Sequence, residues 1–271
     1  MTEIQIERRI VAPSLEVWRA LSTARGLALW QADEVKGEVR AGAVVELGWP
    51  ALGVSLELEV GELEPGRRVV LQDNDTKLEL EVIAGGVRLT HHSVQDADRD
   101  GMASSWHLAL SQLAHGLERH PGLERVSHWA AQPPSAIAET ICAFATEPAL
   151  SARWLWSGTV RQEGERAELR FAERSLSGRV LCHVPGRDVS VVWEEEDAST
   201  LSLRTLPSPF TADERIVALV WSTWQVHAEP ESDPHAGEHA ALKSQPSVPI
   251  VAELDLALER LKHLLRGAGE A

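Results

Sequence analysis

Val54-Ser55-Leu56-Glu57-Leu58-Glu59-Val60 alternates apolar and polar residues without a break. A strand turns successive side chains to opposite faces, so this stretch is a half-buried β-strand with its apolar row inward. Lys77-Leu78-Glu79-Leu80-Glu81-Val82 repeats the pattern. Pro65-Gly66, Asp73-Asn74-Asp75 and Gly85-Gly86 supply turn signals around the two runs, and Gly37–Gly42 fits another hairpin turn. Turns this closely spaced favour a meander of antiparallel strands over βαβ crossovers.

Beyond the strands the period changes. Over residues 103–118, Trp106, Leu110, Leu113 and Leu117 fall on one helical stripe, and Pro121-Gly122 then marks a stop and a boundary. Before the strands, Ile4, Ile6 and Ile10 suggest an opening strand. Pro13-Ser14 starts an amphipathic segment whose stripe is expected to carry Leu15, Trp18, Leu21 and Leu27, with Trp30 at its end.

The second half repeats this order. Pro134-Ser135 opens a helical segment with Ile137, Ile141 and Phe144, and Trp154 stands where Trp30 stood. Strand-like runs follow at Ala167–Phe171, Leu176–Val184, Val189–Trp193, Leu201–Leu206 and Ile216–Val226. A closing helix over 248–266 carries Val251, Leu254, Leu258, Leu261 and Leu265 on its stripe. Long-period duplication is the organising feature. The expected architecture is α+β: two domains over 1–121 and 125–271, each a curved antiparallel sheet wrapped on a long C-terminal helix with two short helices. Residues 227–247, rich in Pro, His, Glu, Ala and Ser, are expected to form a flexible loop.

Composition narrows the function classes. A formal charge of −15, shared by both halves, opposes binding to phosphate backbones, so no nucleic-acid partner is expected. The chain has no apolar run of membrane-spanning length and no basic-plus-apolar leader after Met1, so the expectation is a cytoplasmic protein without membrane insertion. Cys142 and Cys182 are too few for a disulfide framework and fit buried, inert thiols. Ten Trp, three Phe and no Tyr leave the indole as the dominant aromatic and remove the phenol as a proton donor.

The chain resembles the START-like superfamily, also called SRPBCC or Bet v 1-like, and within it the branch of activators of heat-shock-protein-90 ATPase homologues. The likeness is carried by Ile6-Glu7-Arg8-Arg9-Ile10-Val11-Ala12-Pro13, Val17-Trp18-Arg19-Ala20-Leu21, Leu27-Ala28-Leu29-Trp30 and Ser105-Trp106-His107-Leu108-Ala109-Leu110. The second half keeps Pro134 and Trp154 but lacks the Trp-His-Leu signature in its last helix. The resemblance implies the helix-grip fold. For function it implies a range, from ligand carriers through co-chaperone-like interaction modules to polyketide cyclases or aromatases.

A sheet wrapped on a helix encloses an apolar space suited to a small ligand. The expected ligand contacts are Trp49, Leu58, His91, Trp106 and Leu110 in the first half and Trp193 in the second; the same side chains equally suit a packed core. Leu56, Leu80, Leu89, Phe171, Val180, Val191, Leu203 and Leu254 are further wall positions. His91 shares a strand face with Val87 and Leu89, so it projects inward, where it could bond a ligand or exchange a proton. The plainer reading is a core-edge histidine bonded to a backbone carbonyl.

Metal binding and nucleophilic catalysis find little support. His91 and His92 point to opposite faces, and His107 and His115 are too far apart for helical ligands. His227, His235 and His239 fit solvated loop, and no Gly-x-Ser-x-Gly elbow is present. The expectation is a small apolar or aromatic ligand, or a protein partner, with no cofactor, no metal and no defined catalysis.

Overall fold

A computed structural model describes residues 2–95, 99–132, 138–171, 173–207, 215–226 and 248–268. The chain divides into two compact units, Met1–Arg125 and Val126–Ala271. The flexible loop expected at 227–247, and Pro134 with Ile137, lie outside the described residues.

The first unit is built from strands β1 (Thr2–Arg9), β2 (Glu34–Lys36), β3 (Val44–Trp49), β4 (Val54–Glu64), β5 (Arg68–Gln72), β6 (Lys77–Ile83) and β7 (Gly86–Val94), and helices α1 (Ser14–Ser22), α2 (Ala24–Ala28) and α3 (Arg99–Arg119). They form one seven-stranded sheet in the order β1-β7-β6-β5-β4-β3-β2. Every neighbouring pair is antiparallel. Six strands form the expected meander, and β1 closes it by pairing with the last strand, Ile6 opposite Leu89. The inner row of this sheet, including Val45, Leu58, Leu71, Leu80 and Leu89, shares one buried cluster with Trp106, Leu110 and Leu113 of α3.

The second unit repeats the plan. Its elements are β8 (Glu124–Gln132), α4 (Ala138–Thr146), α5 (Pro148–Ser151), β9 (Ser157–Gly158), β10 (Arg166–Phe171), β11 (Arg174–His183), β12 (Val189–Trp193), β13 (Ser199–Pro207), β14 (Arg215–Gln225) and α6 (Val248–Ala268). The sheet order β8-β14-β13-β12-β11-β10-β9 has the same form: a first strand beside the last, and a meander between. Leu169, Val191, Leu203 and Leu219 join Ile250, Leu254, Leu258 and Leu261 of α6 in its core.

A shared hydrogen bond ties the two helix pairs together as copies. The Trp30 indole N–H donates to the Ala20 carbonyl, 3.1 Å away and ten residues earlier. The Trp154 indole donates to the Phe144 carbonyl at 2.8 Å, again across ten residues. In each unit the indole fastens the end of the second short helix to the first, which explains why Trp154 stands in register with Trp30. Thr23 caps α2 by accepting from the Gly26 N–H at 2.9 Å. Gly26 itself is required by packing, since a Cβ there would lie 2.2 Å from the Arg19 carbonyl oxygen.

The expected stripe of α1 needs correction. Leu15 is 55% exposed, and the buried residues are Val17, Ala20 and Leu21, with Trp18 packed partly against the core. A nine-residue helix carries two overlapping stripes of similar weight, and the one through Val17 faces the sheet.

Candidate functional site

In the first unit the inward side of β7 delivers His91 to the gripping helix. The parity that places Val87 and Leu89 inside also carries His91 inward, and all three are buried. The Trp106 indole N–H donates to His91 Nδ1 at 3.1 Å, and the two rings meet edge-on with centroids 5.9 Å apart and planes at 85°. The partner is thus an indole, not the backbone carbonyl of the plainer reading.

An Nδ1 that accepts must carry its proton on Nε2, so this imidazole is neutral. Burial pushes its pKa below the ordinary value, and the neighbouring His92 acts the same way, against a weaker upward pull from Asp73. His92 faces the other way, between Glu3 and Glu79 at 3.0 and 3.2 Å.

Leu58 and Leu110 are wholly buried in the same cluster, and Trp49, half-buried at the end of β3, packs against it. Trp193 belongs to the core of the second unit. The six residues expected as contacts are therefore divided five and one between two separate interiors.

The second interior is far richer in aromatic surface. Trp154, Trp156, Trp193, Trp221 and Phe171 are all fully buried within one cluster. Phe171 and Trp221 stack with centroids 6.3 Å apart and planes at 16°. Their strands, β10 and β14, are four places apart in the sheet. In a flat sheet four spacings amount to roughly 19 Å. The stack is therefore a measure of curl: the sheet rolls until its inner aromatics meet across β12.

The polar atoms of these indoles fall into two classes. Trp154 and Trp156 donate to the carbonyls of Phe144 and Ala145 at 2.8 and 2.9 Å. The N–H groups of Trp193 and Trp221 are buried with no hydrogen-bond partner among the described residues. The hydroxyls of Ser199 and Thr223 share that condition. Ser199 pairs directly with Trp193 across β12 and β13, and Leu201 pairs with Trp221 across β13 and β14. Thr223 follows Trp221 by two positions and shares its face. The four groups thus belong to adjoining inward rows at one end of the sheet. Opposite Trp193 on β11 stands Gly178, where a Cβ would lie 1.8 Å from the Val192 carbonyl oxygen, so no side chain extends from that position.

Sequence reasoning missed Trp221, Trp156, Ser199 and Thr223. Residues 216–221 are all apolar, so no alternation in the run 216–226 singles out Trp221. Nothing in the sequence marks the other three. Elsewhere, two concave places open at the surface. One, of about 530 Å³, is lined by Glu7, Arg8, Arg9, Val11, Ala114 and Glu118. The other, of about 330 Å³, lies beside Arg153, Arg170 and Arg260, with Glu173 and Glu253 among them. Neither includes any of the six expected contacts. Among the described residues no group of three or more His, Cys, Asp or Glu side chains could hold a metal ion. No described helix is long and apolar enough to cross a membrane. Cys182 is buried, and the side chain of Cys142 lies outside the described residues.

The fold and the sequence agree on a family for the first unit. Residues 11–118 match the family model described as activator of Hsp90 ATPase homolog 1-like protein. The first unit is a domain of that family. The activator-type domain thus spans the stretch from the end of β1 to the end of α3, including His91 and Trp106. Solved structures resemble the chain at low identity. The Aha1 dimer from Colwellia psychrerythraea is 22% identical, covering 44% of this chain and 97% of that one, with a TM-score of 0.39. DynU16, described as a putative protein in the dynemicin biosynthetic locus, is 16% identical and covers 97% of this chain and 99% of its own, with a TM-score of 0.38. CalU16 from Micromonospora echinospora is 23% identical over 43% of this chain and 65% of that one, with a TM-score of 0.36. No curated protein sequence matches the chain.

Proposed function

We propose that the protein binds a small, largely apolar or aromatic ligand between a curved sheet and its gripping helix, acting as a binder with no chemical step of its own. The observation that supports this reading best is the aromatic lining of the second unit, where four tryptophans and Phe171 are gathered in one interior. Indole and phenyl rings offer large, rigid apolar area at low entropic cost and stack on planar molecules. In the activator-type domain, Trp49, Leu58, His91, Trp106 and Leu110 are the proposed contacts, and Trp193 is the proposed contact in the second unit.

His91 adds a neutral polar point to the first interior. Its Nδ1 is already occupied by Trp106, which suits a positioning role better than proton transfer.

The test is a titration of intrinsic tryptophan fluorescence on the full chain with a panel of fatty acids, sterols and planar aromatic ketones. A saturable change with at least one class is expected. Flat responses across the whole panel would contradict the reading.

A further inference from the structure

We propose that the interior of the second unit is a binding site for an uncharged, planar aromatic carbonyl compound, whose oxygen accepts from Trp193 and Trp221 and is flanked by Ser199 and Thr223. The inference rests on the ligand-binding reading above and adds where the ligand sits and what it must carry.

Buried polar groups in folded proteins are almost always paired, and each exception calls for an explanation. Here four exceptions lie together, at Trp193 Nε1, Trp221 Nε1, Ser199 Oγ and Thr223 Oγ1. They occupy adjoining inward rows of one curled sheet. Other indoles in the same interior do find carbonyl acceptors, so the fold is able to satisfy this group where it needs to. An indole nitrogen only donates, so its complement is an acceptor. The two hydroxyls can donate or accept and therefore tolerate either a carbonyl or a hydroxyl beside it.

The ligand's charge follows from its surroundings. Among the described residues, the buried side chains that pack around Trp193 and Trp221 are apolar. A carboxylate set among those apolar side chains would lose its hydration, whereas a ketone or quinone oxygen loses far less. Its shape follows from the wall: the stacked Phe171 and Trp221 rings present flat apolar surface beside the unpaired donors. Among the described residues of the first unit, both buried indoles already find acceptors, Trp106 at His91 and Trp30 at the Ala20 carbonyl.

The experiment compares two nearly isosteric probes, 2-acetylnaphthalene and 2-ethylnaphthalene, on the full chain labelled with ¹⁵N-tryptophan. Indole resonances are assigned with single Trp→Phe variants. The acetyl compound is expected to move the Trp193 and Trp221 indole N–H resonances downfield and to bind roughly tenfold more tightly per hydrogen bond made than the ethyl compound. Trp221→Phe should remove most of that preference, so that the two probes bind with nearly equal affinity. If that variant does not fold, Ser199→Ala serves instead, with a smaller loss of preference.

Equal binding of both probes at Trp193 and Trp221 would overturn the inference and leave the ligand-binding reading intact. Shifts confined to Trp106 would do the same, moving the site to the first unit. No response at any indole would sink both. Indoles of Trp193 and Trp221 that resonate as hydrogen-bonded before any probe is added, and stay unmoved, would show them held by buried water and overturn the inference as well.

Discussion

In the first unit an inward tryptophan gives its N–H to a histidine that can take it; in the second, two inward tryptophans have no acceptor among the described residues. The two units share strand order, helix order and the ten-residue indole clasp at the helix pair. Their interiors nevertheless follow different polar logic. A copied fold conserves what the backbone demands, the meander, the closing strand and the gripping helix, and leaves the inward side chains free to diverge. Polar bookkeeping separates a core that completes itself from one that awaits an acceptor, and shape alone does not.

The largest expected effect tests the shared part of the comparison. Leu110 and Leu258 occupy the buried stripes of α3 and α6. Truncation of either to Ala should cost about 2–5 kcal/mol, as large-to-small core changes do. Amide hydrogen exchange on the full chain should show Leu110→Ala deprotecting β1 to β7 and Leu258→Ala deprotecting β8 to β14. Equal loss of protection in both sheets from either change would contradict two separate cores.

A smaller effect tests the part that differs. Trp106→Phe removes the donor that His91 Nδ1 accepts, leaving a buried acceptor without a partner, at a cost of about 1–3 kcal/mol beyond the lost area. Trp221→Phe removes a donor that bonds nothing among the described residues, so relief from an unpaired group offsets the lost area. Denaturant unfolding should therefore find Trp106→Phe clearly the more damaging of the two. The reverse order would break the contrast.

The smallest effect is a pH dependence. The folded-state pKa of His91 lies below its ordinary value of 6.5, chiefly because burial disfavours the charged ring. Below about pH 6.5 the unfolded chain binds the proton more readily than the folded one. Stability from this group is therefore complete above that pH and is lost progressively as pH falls towards the lowered value. His91→Asn keeps an acceptor near the Nδ1 position and cannot titrate. Its thermal midpoint should fall less between pH 7 and pH 5 than that of the parent, as differential scanning calorimetry would read it.

Much of the fold was legible because half-buried strands write their facing into the sequence. β4 and β6 alternate cleanly, and the parity of Val87 and Leu89 correctly turned His91 inward. Other elements left weaker traces. β8 is mostly half-buried along its length, without alternation, so residues 124–132 carried no strand signal. β14 is buried on both faces from Ile216 to Ser222, which erases the period that would have singled out Trp221. The candidate site was legible only as a set of inward positions. That Trp106 meets His91, and that Trp193 lacks a partner, depends on distances between elements far apart in sequence.

The central claim is that Trp106 of the first unit is satisfied while Trp193 and Trp221 of the second have no acceptor among the described residues, and the proton chemical shifts of the indole N–H groups in the ligand-free chain report it directly. Trp30, Trp106, Trp154 and Trp156 should resonate downfield as hydrogen-bonded donors, with Trp193 and Trp221 well upfield of them. Trp193 and Trp221 resonating among the bonded four would contradict the account.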